Sequence, residues 1–316
     1  MSTKAGSGRS SLLKFHRPKF QLDSAPIPVL KSESKLCLQN LTSYRAPRQL
    51  MEFPKSRRAA VLVTLFVGRM GDLYVLLSRR ASTLRTYAGD TSLPGGKWDP
   101  QDKNIEWTAR REALEEIGLP MDRSKVPLLC TLEPFLARTE LIVTPVVVLI
   151  LDNTLRPILN APEVASIFSH PLASFLHSEP PFPTEPEMLE MEYHTSNDIE
   201  WAGHEGKVRI HRFLTGREAG GTKPIFGLTA AIMIRVAAIG YGRQPDFEVF
   251  APNQPSQEER IAYALKTNPV FREAAQQEGI DPDKVPDPST FRRADRERQE
   301  EVSRGRRRRR RVRSKL

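Results

Sequence analysis

A chain of 316 residues accommodates one large domain or two smaller ones; 39% hydrophobic residues, 27% charged residues and 26 prolines place part of it outside a packed core. Two cysteines, Cys37 and Cys130, exclude a disulfide framework and a zinc pattern and suit a reducing compartment, and no apolar run of about 18 residues is present to span a membrane. The net charge of +10 belongs largely to residues 304–316, with eight arginines, Lys315 and no acid, so it does not mark the folded part as a nucleic-acid binder.

Residues 1–55 read as a flexible N-terminal extension with a helix around Ser34–Leu41; the early part, whose first acid is Asp23, has a composition that would also pass for a mitochondrial presequence. Arg58–Val67 reads as a strand, Met70-Gly71-Asp72 as a turn and Leu73–Ser78 as the returning strand of a hairpin. The chain then runs through Arg80, Arg85 and Gly89 to Leu93-Pro94-Gly95-Gly96. Arg80 and Arg85 offer planar, permanent charge of the kind phosphates take, and Gly95 and Gly96 let backbone approach a ligand closely.

The next stretch carries the densest chemistry. Ala109, Ala113, Leu114 and Ile117 supply the apolar side of a short helix that stops at Gly118 and Pro120. Glu112, Glu115 and Glu116 stand at i, i+3 and i+4, which puts three carboxylates on one face. Such clustering is repulsive in water, and a hard divalent cation such as Mg²⁺ compensates it through carboxylate oxygens. A Gly-Gly turn followed by a tri-carboxylate helix therefore suggests a metal site for a phosphate-bearing substrate.

The run Arg111-Glu112-Ala113-Leu114-Glu115-Glu116-Ile117-Gly118-Leu119 resembles the second half of the Nudix box, R-E-U-x-E-E-x-G-U with U aliphatic. The first half departs: Asp102 stands where the family usually has Glu, and eight residues rather than seven separate it from Arg111. That longer form, with Asp99 and Asp102, resembles the coenzyme A diphosphatase branch. So does Leu76-Leu77-Ser78-Arg79-Arg80-Ala81 with Arg85, Gly89 and Leu93-Pro94-Gly95-Gly96, against L-L-T-x-R-S-x3-R-x3-G-x3-F-P-G-G. Ser78, Ala81 and Leu93 replace its Thr, Ser and Phe. The resemblance implies an α/β/α sandwich with a mixed β-sheet, and Mg²⁺ or Mn²⁺ held by Glu112, Glu115 and Glu116. Glu112 or Glu116 would also polarise the attacking water, and Arg111 would pair with a glutamate. Arg80, Arg85, Gly95 and Gly96 would serve the substrate. The implied reaction cleaves coenzyme A or acyl-CoA to 3′,5′-ADP and (acyl-)4′-phosphopantetheine.

Further along, Val126–Thr131 and Ile142–Leu149 read as strands, the second β-branched and suited to burial. Asn160-Ala161-Pro162-Glu163-Val164 and Ser169-His170-Pro171-Leu172 resemble a further family segment; Glu163 could approach the metal site or cap a helix at Ala173–Leu176, and His170 reads as structural. Residues 178–206, rich in Pro and Glu, read as an insertion, Val208–Phe213 as a strand, and the stretch from Ile225 to about Ile239 as a helix resembling the branch's I-W-G-L-T-A opening. The domain would thus span 56–243. Residues 244–316 form a helical, basic extension, with helical spacing at Gln257–Lys266 and Pro269–Glu278. Its end, Ser314-Lys315-Leu316, reads as a peroxisomal address, implying an import receptor and the peroxisomal matrix ahead of the cytosol or mitochondrion. Two rival functions are open: hydrolysis of another nucleoside diphosphate derivative such as NADH or ADP-ribose, and an RNA-binding module with a vestigial box. The tail lacks the interleaved aromatics that stacking on RNA uses.

Overall fold

The computed structural model describes residues 27–152, 154–182, 191–201 and 206–291. Its centre is the expected hairpin, β1 (Arg58–Val67) and β2 (Leu73–Arg80), closed through Gly71 at φ 79°. After β3 (Thr91–Ser92), β4 (Gly95–Lys97), helix α2 (Ile105–Ile117), β5 (Leu128–Thr131) and β6 (Phe135–Ala137) comes β7 (Leu141–Leu149), which lies parallel to β1 from Arg58↔Ile142 to Leu65↔Leu149. The other pairings are antiparallel, so the sheet is mixed: its order is β3-β2-β1-β7-β5, with β4 on β1, β6 on β7, and β8 (Val164–Pro171) on β2. Strand β1 divides one edge between two partners, β4 at Ala59–Val61 and β2 at Thr64–Val67.

Alternation along β1 and β7 explains the layers. Ala60, Leu62, Val146 and Val148 face Ala109, Ala113 and Ile117 of α2, while Val63, Leu65, Val147 and Leu149 face the opposite core. That second core is covered by α3 (Gly227–Tyr241) and by α1 (Ser32–Ser43). Both faces are covered by helices, which is the α/β/α sandwich with a mixed sheet.

Two expectations change. The N-terminal extension is not free over its described part: Cys37, Leu38 and Leu41 of α1 are fully buried, because Gly240 lacks the side chain that would collide with Cys37 Sγ. The insertion contributes β9 (His194–Glu200), which pairs with β10 (Lys207–Phe213), itself joined to β11 (Ile225–Phe226). The helix expected at Ala173–Leu176 is present as a short 3₁₀ helix, Leu172–Leu176. The helical part of the C-terminal extension is present as α4 (Gln257–Thr267) and α5 (Pro269–Gln277), whose Ile261, Leu265 and Phe271 form a third core with Phe53, Leu136 and Ile142. The Arg-rich tail and Ser314, Lys315 and Leu316 lie outside the described residues. No helix among the described residues is long and apolar enough to cross a membrane.

Candidate active site

Helix α2 carries the site, and local chemistry fixes both of its ends. Asn104 accepts a hydrogen bond from the Trp107 backbone N–H as N-cap, and Gly118 closes the C-terminus at φ 68°. The loop that follows bonds back to the last turn: Ile158 N–H donates to the Ile117 carbonyl and Asn160 N–H to that of Glu116, 3.0 and 2.9 Å away. That return places Glu163 in the electrostatic field of both Glu112 and Glu116.

The three box glutamates are not equivalent. A helix turns about 100° per residue, so the inward face set by Ala109 and Ala113 takes in Glu116, which is 6% exposed, and leaves Leu114 and Glu115 turned outward at 44% and, for the Glu115 side chain, 52%. Leu114 therefore does not belong to the apolar side. Glu112 stands between, half-buried against β4. Gly96 makes room for it: a methyl group there would lie 2.5 Å from the Glu112 carboxylate. Gly95 is equally cramped, but by the backbone of Ala60 and Val61. Neither glycine has a positive φ, so what both positions require is space.

Arg111 ties the box together. Its Nε and Nη2 donate to Asp102 at 3.0 and 3.1 Å, its Nη1 to Glu112 at 2.9 Å and Glu115 at 3.1 Å, and Nη2 also to the Lys97 carbonyl at 3.0 Å. Burial pushes Asp102 upward, but hydrogen bonds from Arg111, from the Asp99 backbone N–H and from Thr108 outweigh it and hold the carboxyl below its ordinary range. Asp102, absent from the sequence-derived site, thus anchors the box arginine. Glu116 goes the other way: burial, then the Glu112 charge, push it up to about 8, only partly offset by Arg80 and the Gly95 backbone N–H. Burial raises Glu112 as well, against the pull of Arg111.

Arg80 is therefore brought to the carboxylates, with its Nε buried and unpartnered by any described residue. Arg85 is not: it is exposed on the loop after β2 and forms no ion pair among the described residues. His170 keeps a structural place, buried with Nε2 2.7 Å from Tyr193 Oη and held neutral by burial, which lowers its pKa to about 3.

Residues 55–210 match the NUDIX domain model. The chain is 37% identical over 183 residues to the uncharacterized Nudix hydrolase NudL of Yersinia enterocolitica, covering 58% of this chain and 80% of that protein. The chain belongs to the Nudix family. Nudix hydrolase 15, mitochondrial, of Arabidopsis thaliana is 42% identical over 194 residues, 61% of this chain and 62% of that protein. Peroxisomal coenzyme A diphosphatase 1 of Saccharomyces cerevisiae is 32% identical over 212 residues, 57% of this chain and 62% of that protein. The Nudix chain thus spans about three fifths of the length of these last two relatives. The expected peroxisomal matrix location is overturned, because the relative named mitochondrial, at 42% identity, stands nearer than the one named peroxisomal, at 32%. The import-receptor reading of Ser314, Lys315 and Leu316 falls outside the described residues, and these relatives do not bear on it.

Proposed function

We propose that the protein hydrolyses the diphosphate bond of coenzyme A or acyl-CoA, yielding 3′,5′-ADP and (acyl-)4′-phosphopantetheine. One observation carries the reading: the positive charge of Arg80, from the segment resembling the coenzyme A branch, bears on the buried Glu116 of the box. The likeness to a relative named a coenzyme A diphosphatase supports it.

A divalent cation fits the residues present. Glu112 and Glu116 are oxygen donors buried together, with Arg80 and the Gly95 N–H too weak to keep Glu116 in its ordinary range. Among the described residues no three acidic side chains are already gathered for one ion, because Glu115 is turned out onto Arg111. Glu112 and Glu116 would hold Mg²⁺ or Mn²⁺, joined by Glu115 once it turns from Arg111, and the ion would supply positive charge to the phosphoryl oxygens when bound. Glu112 or Glu116 takes the proton of the attacking water; in the metal-free protein burial raises both above the ordinary carboxylate range. Arg111 fixes the Glu112 carboxylate, and Gly96 keeps the space beside it clear. Arg80 meets the diphosphate, and Arg85 adds its charge to the same group from its exposed loop.

The test is a substrate panel of coenzyme A, acetyl-CoA, NADH and ADP-ribose with Mg²⁺, products being identified by mass. Coenzyme A or its ester should be cleaved fastest, with 3′,5′-ADP released. Faster cleavage of NADH or ADP-ribose overturns the coenzyme A assignment and leaves a different Nudix diphosphatase.

A further inference from the structure

A groove of about 550 Å³ lies beside the box, lined by Lys55, Ser56, Trp98, Pro100 and Glu278. Its walls come from three separate parts of the chain: the segment entering β1, the loop leaving β4, and the residue that caps α5. Trp98 is the continuation of β4. Its N–H donates to the Arg58 carbonyl at 3.0 Å, extending the ladder that pairs Lys97 with Ala59. Strand alternation then puts Trp98 on the same sheet face as Gly96, against which Glu112 packs. Two residues of extended strand separate them, roughly 7 Å. The Lys97 carbonyl between them is held by Arg111 at 3.0 Å. The groove therefore starts within one nucleotide's reach of the box carboxylates.

Its chemistry is a ring face beside a cation. Lys55 Nζ stands 5.4 Å over the Trp98 indole, a weak contact at an exposed site, and forms no ion pair among the described residues. The one carboxylate in the lining is already engaged. Glu278 accepts from the backbone N–H groups of Lys55 and Ser56 at 2.6 and 2.9 Å and from the Ser56 hydroxyl at 2.7 Å. Those three hydrogen bonds fix the Lys55–Ser56 segment to α5 and hold the Glu278 carboxylate on that backbone, while the lysine ammonium stays without an ion-pair partner among the described residues.

We propose that this groove binds the nucleotide half of the substrate, the base lying against Trp98 and a phosphate outside the cleaved bond taking the Lys55 ammonium. It rests on the diphosphatase reading above and gives the C-terminal helices a purpose: α5, beyond the 55–210 domain match, builds one wall of the substrate site.

Calorimetric titration of the full chain with AMP and with 3′,5′-ADP, without metal, tests this apart from turnover. At least one nucleotide should bind, and Trp98→Ala should weaken it by about 5- to 150-fold, the range that base–aromatic stacking spans. Trp98→Phe should recover most of that loss. Lys55→Ala should weaken 3′,5′-ADP more than AMP, and thermal melts should show both alanine variants folded. The proposal is overturned if wild type binds neither nucleotide, or if either alanine variant keeps the wild-type affinity within twofold. The coenzyme A panel is scored separately: coenzyme A hydrolysis with binding indifferent to Trp98 removes the groove alone. Nucleotide binding that depends on Trp98 without coenzyme A hydrolysis removes only the coenzyme A assignment.

Discussion

Replacing Gly96 by alanine should separate activity from stability. The new methyl carbon would sit 2.5 Å from the Glu112 Cδ and Oε1 and 2.6 Å from Oε2, where ordinary contact begins at 3.4 Å. The carboxylate must therefore retreat by about 1 Å, abandoning its 2.9 Å hydrogen bond from Arg111. Misplacing a reacting group by about 1 Å costs on the order of 10²-fold in rate. The fold should barely notice, because the colliding atoms are the far end of a side chain and Gly96 has no positive φ. Gly95→Ala is the control. Its methyl would meet the Ala60 carbonyl and the Val61 Cα, backbone that cannot step aside without loosening β4 from β1. Overpacking of that kind costs about 1–3 kcal/mol, and at about 2–4 °C per kcal/mol it lowers Tm by roughly 2–12 °C. Mg²⁺-dependent hydrolysis of coenzyme A and thermal melts on both variants give the answer. The reasoning fails if Gly96→Ala keeps activity within twofold of wild type, or if it melts as low as Gly95→Ala.

Four further outcomes are expected. Glu116→Gln should cut turnover by orders of magnitude with the fold intact; near-normal hydrolysis in excess Mg²⁺ would remove Glu116 from the machinery. Because the folded protein raises Glu116 from 4.5 to about 8, it binds the proton more tightly than the unfolded chain does; stability of the metal-free protein should fall as pH rises between those values, and Glu116→Gln should flatten that slope in urea titrations. Arg111→Ala strands the buried Asp102 carboxylate and should cost about 3 kcal/mol in urea unfolding; a loss below about 1 kcal/mol would mean that the pair does not hold the loop. Gly240→Ala drives a methyl group into Cys37 Sγ and should destabilise by about 1–3 kcal/mol; an unchanged urea midpoint would show that α1 does not pack on α3.

Periodicity and local signals made much of the molecule legible. The β1–β2 hairpin, the buried β7, the box helix with its Gly118 stop and the long helix α3 all rest on features a few residues wide, such as alternation, capping and a turn glycine. The spacing of Glu112, Glu115 and Glu116 pointed to one face of one helix for the same reason. It could not say how that face sits on the sheet, so Glu115 and Leu114 were grouped with neighbours they turn away from. Arg80 and Arg85 looked alike as charges, yet only Arg80, at the end of β2, bears on the buried Glu116, while Arg85 is exposed on the loop beyond. The freedom of the N-terminal extension was misjudged through composition: the apolar residues of α1 are few, and their burial depends on a glycine some 200 residues away.

From its order of residues alone, this chain determined which elements form, where the box helix begins and ends, and the kind of charge it carries, since each depends on neighbours within a turn or two. Only the tertiary structure decided which carboxylate is buried, which arginine answers it, and that residues 55, 98 and 278 share a groove. Those properties come from desolvation and from distances between segments far apart in the chain, and neither is set until the layers have packed.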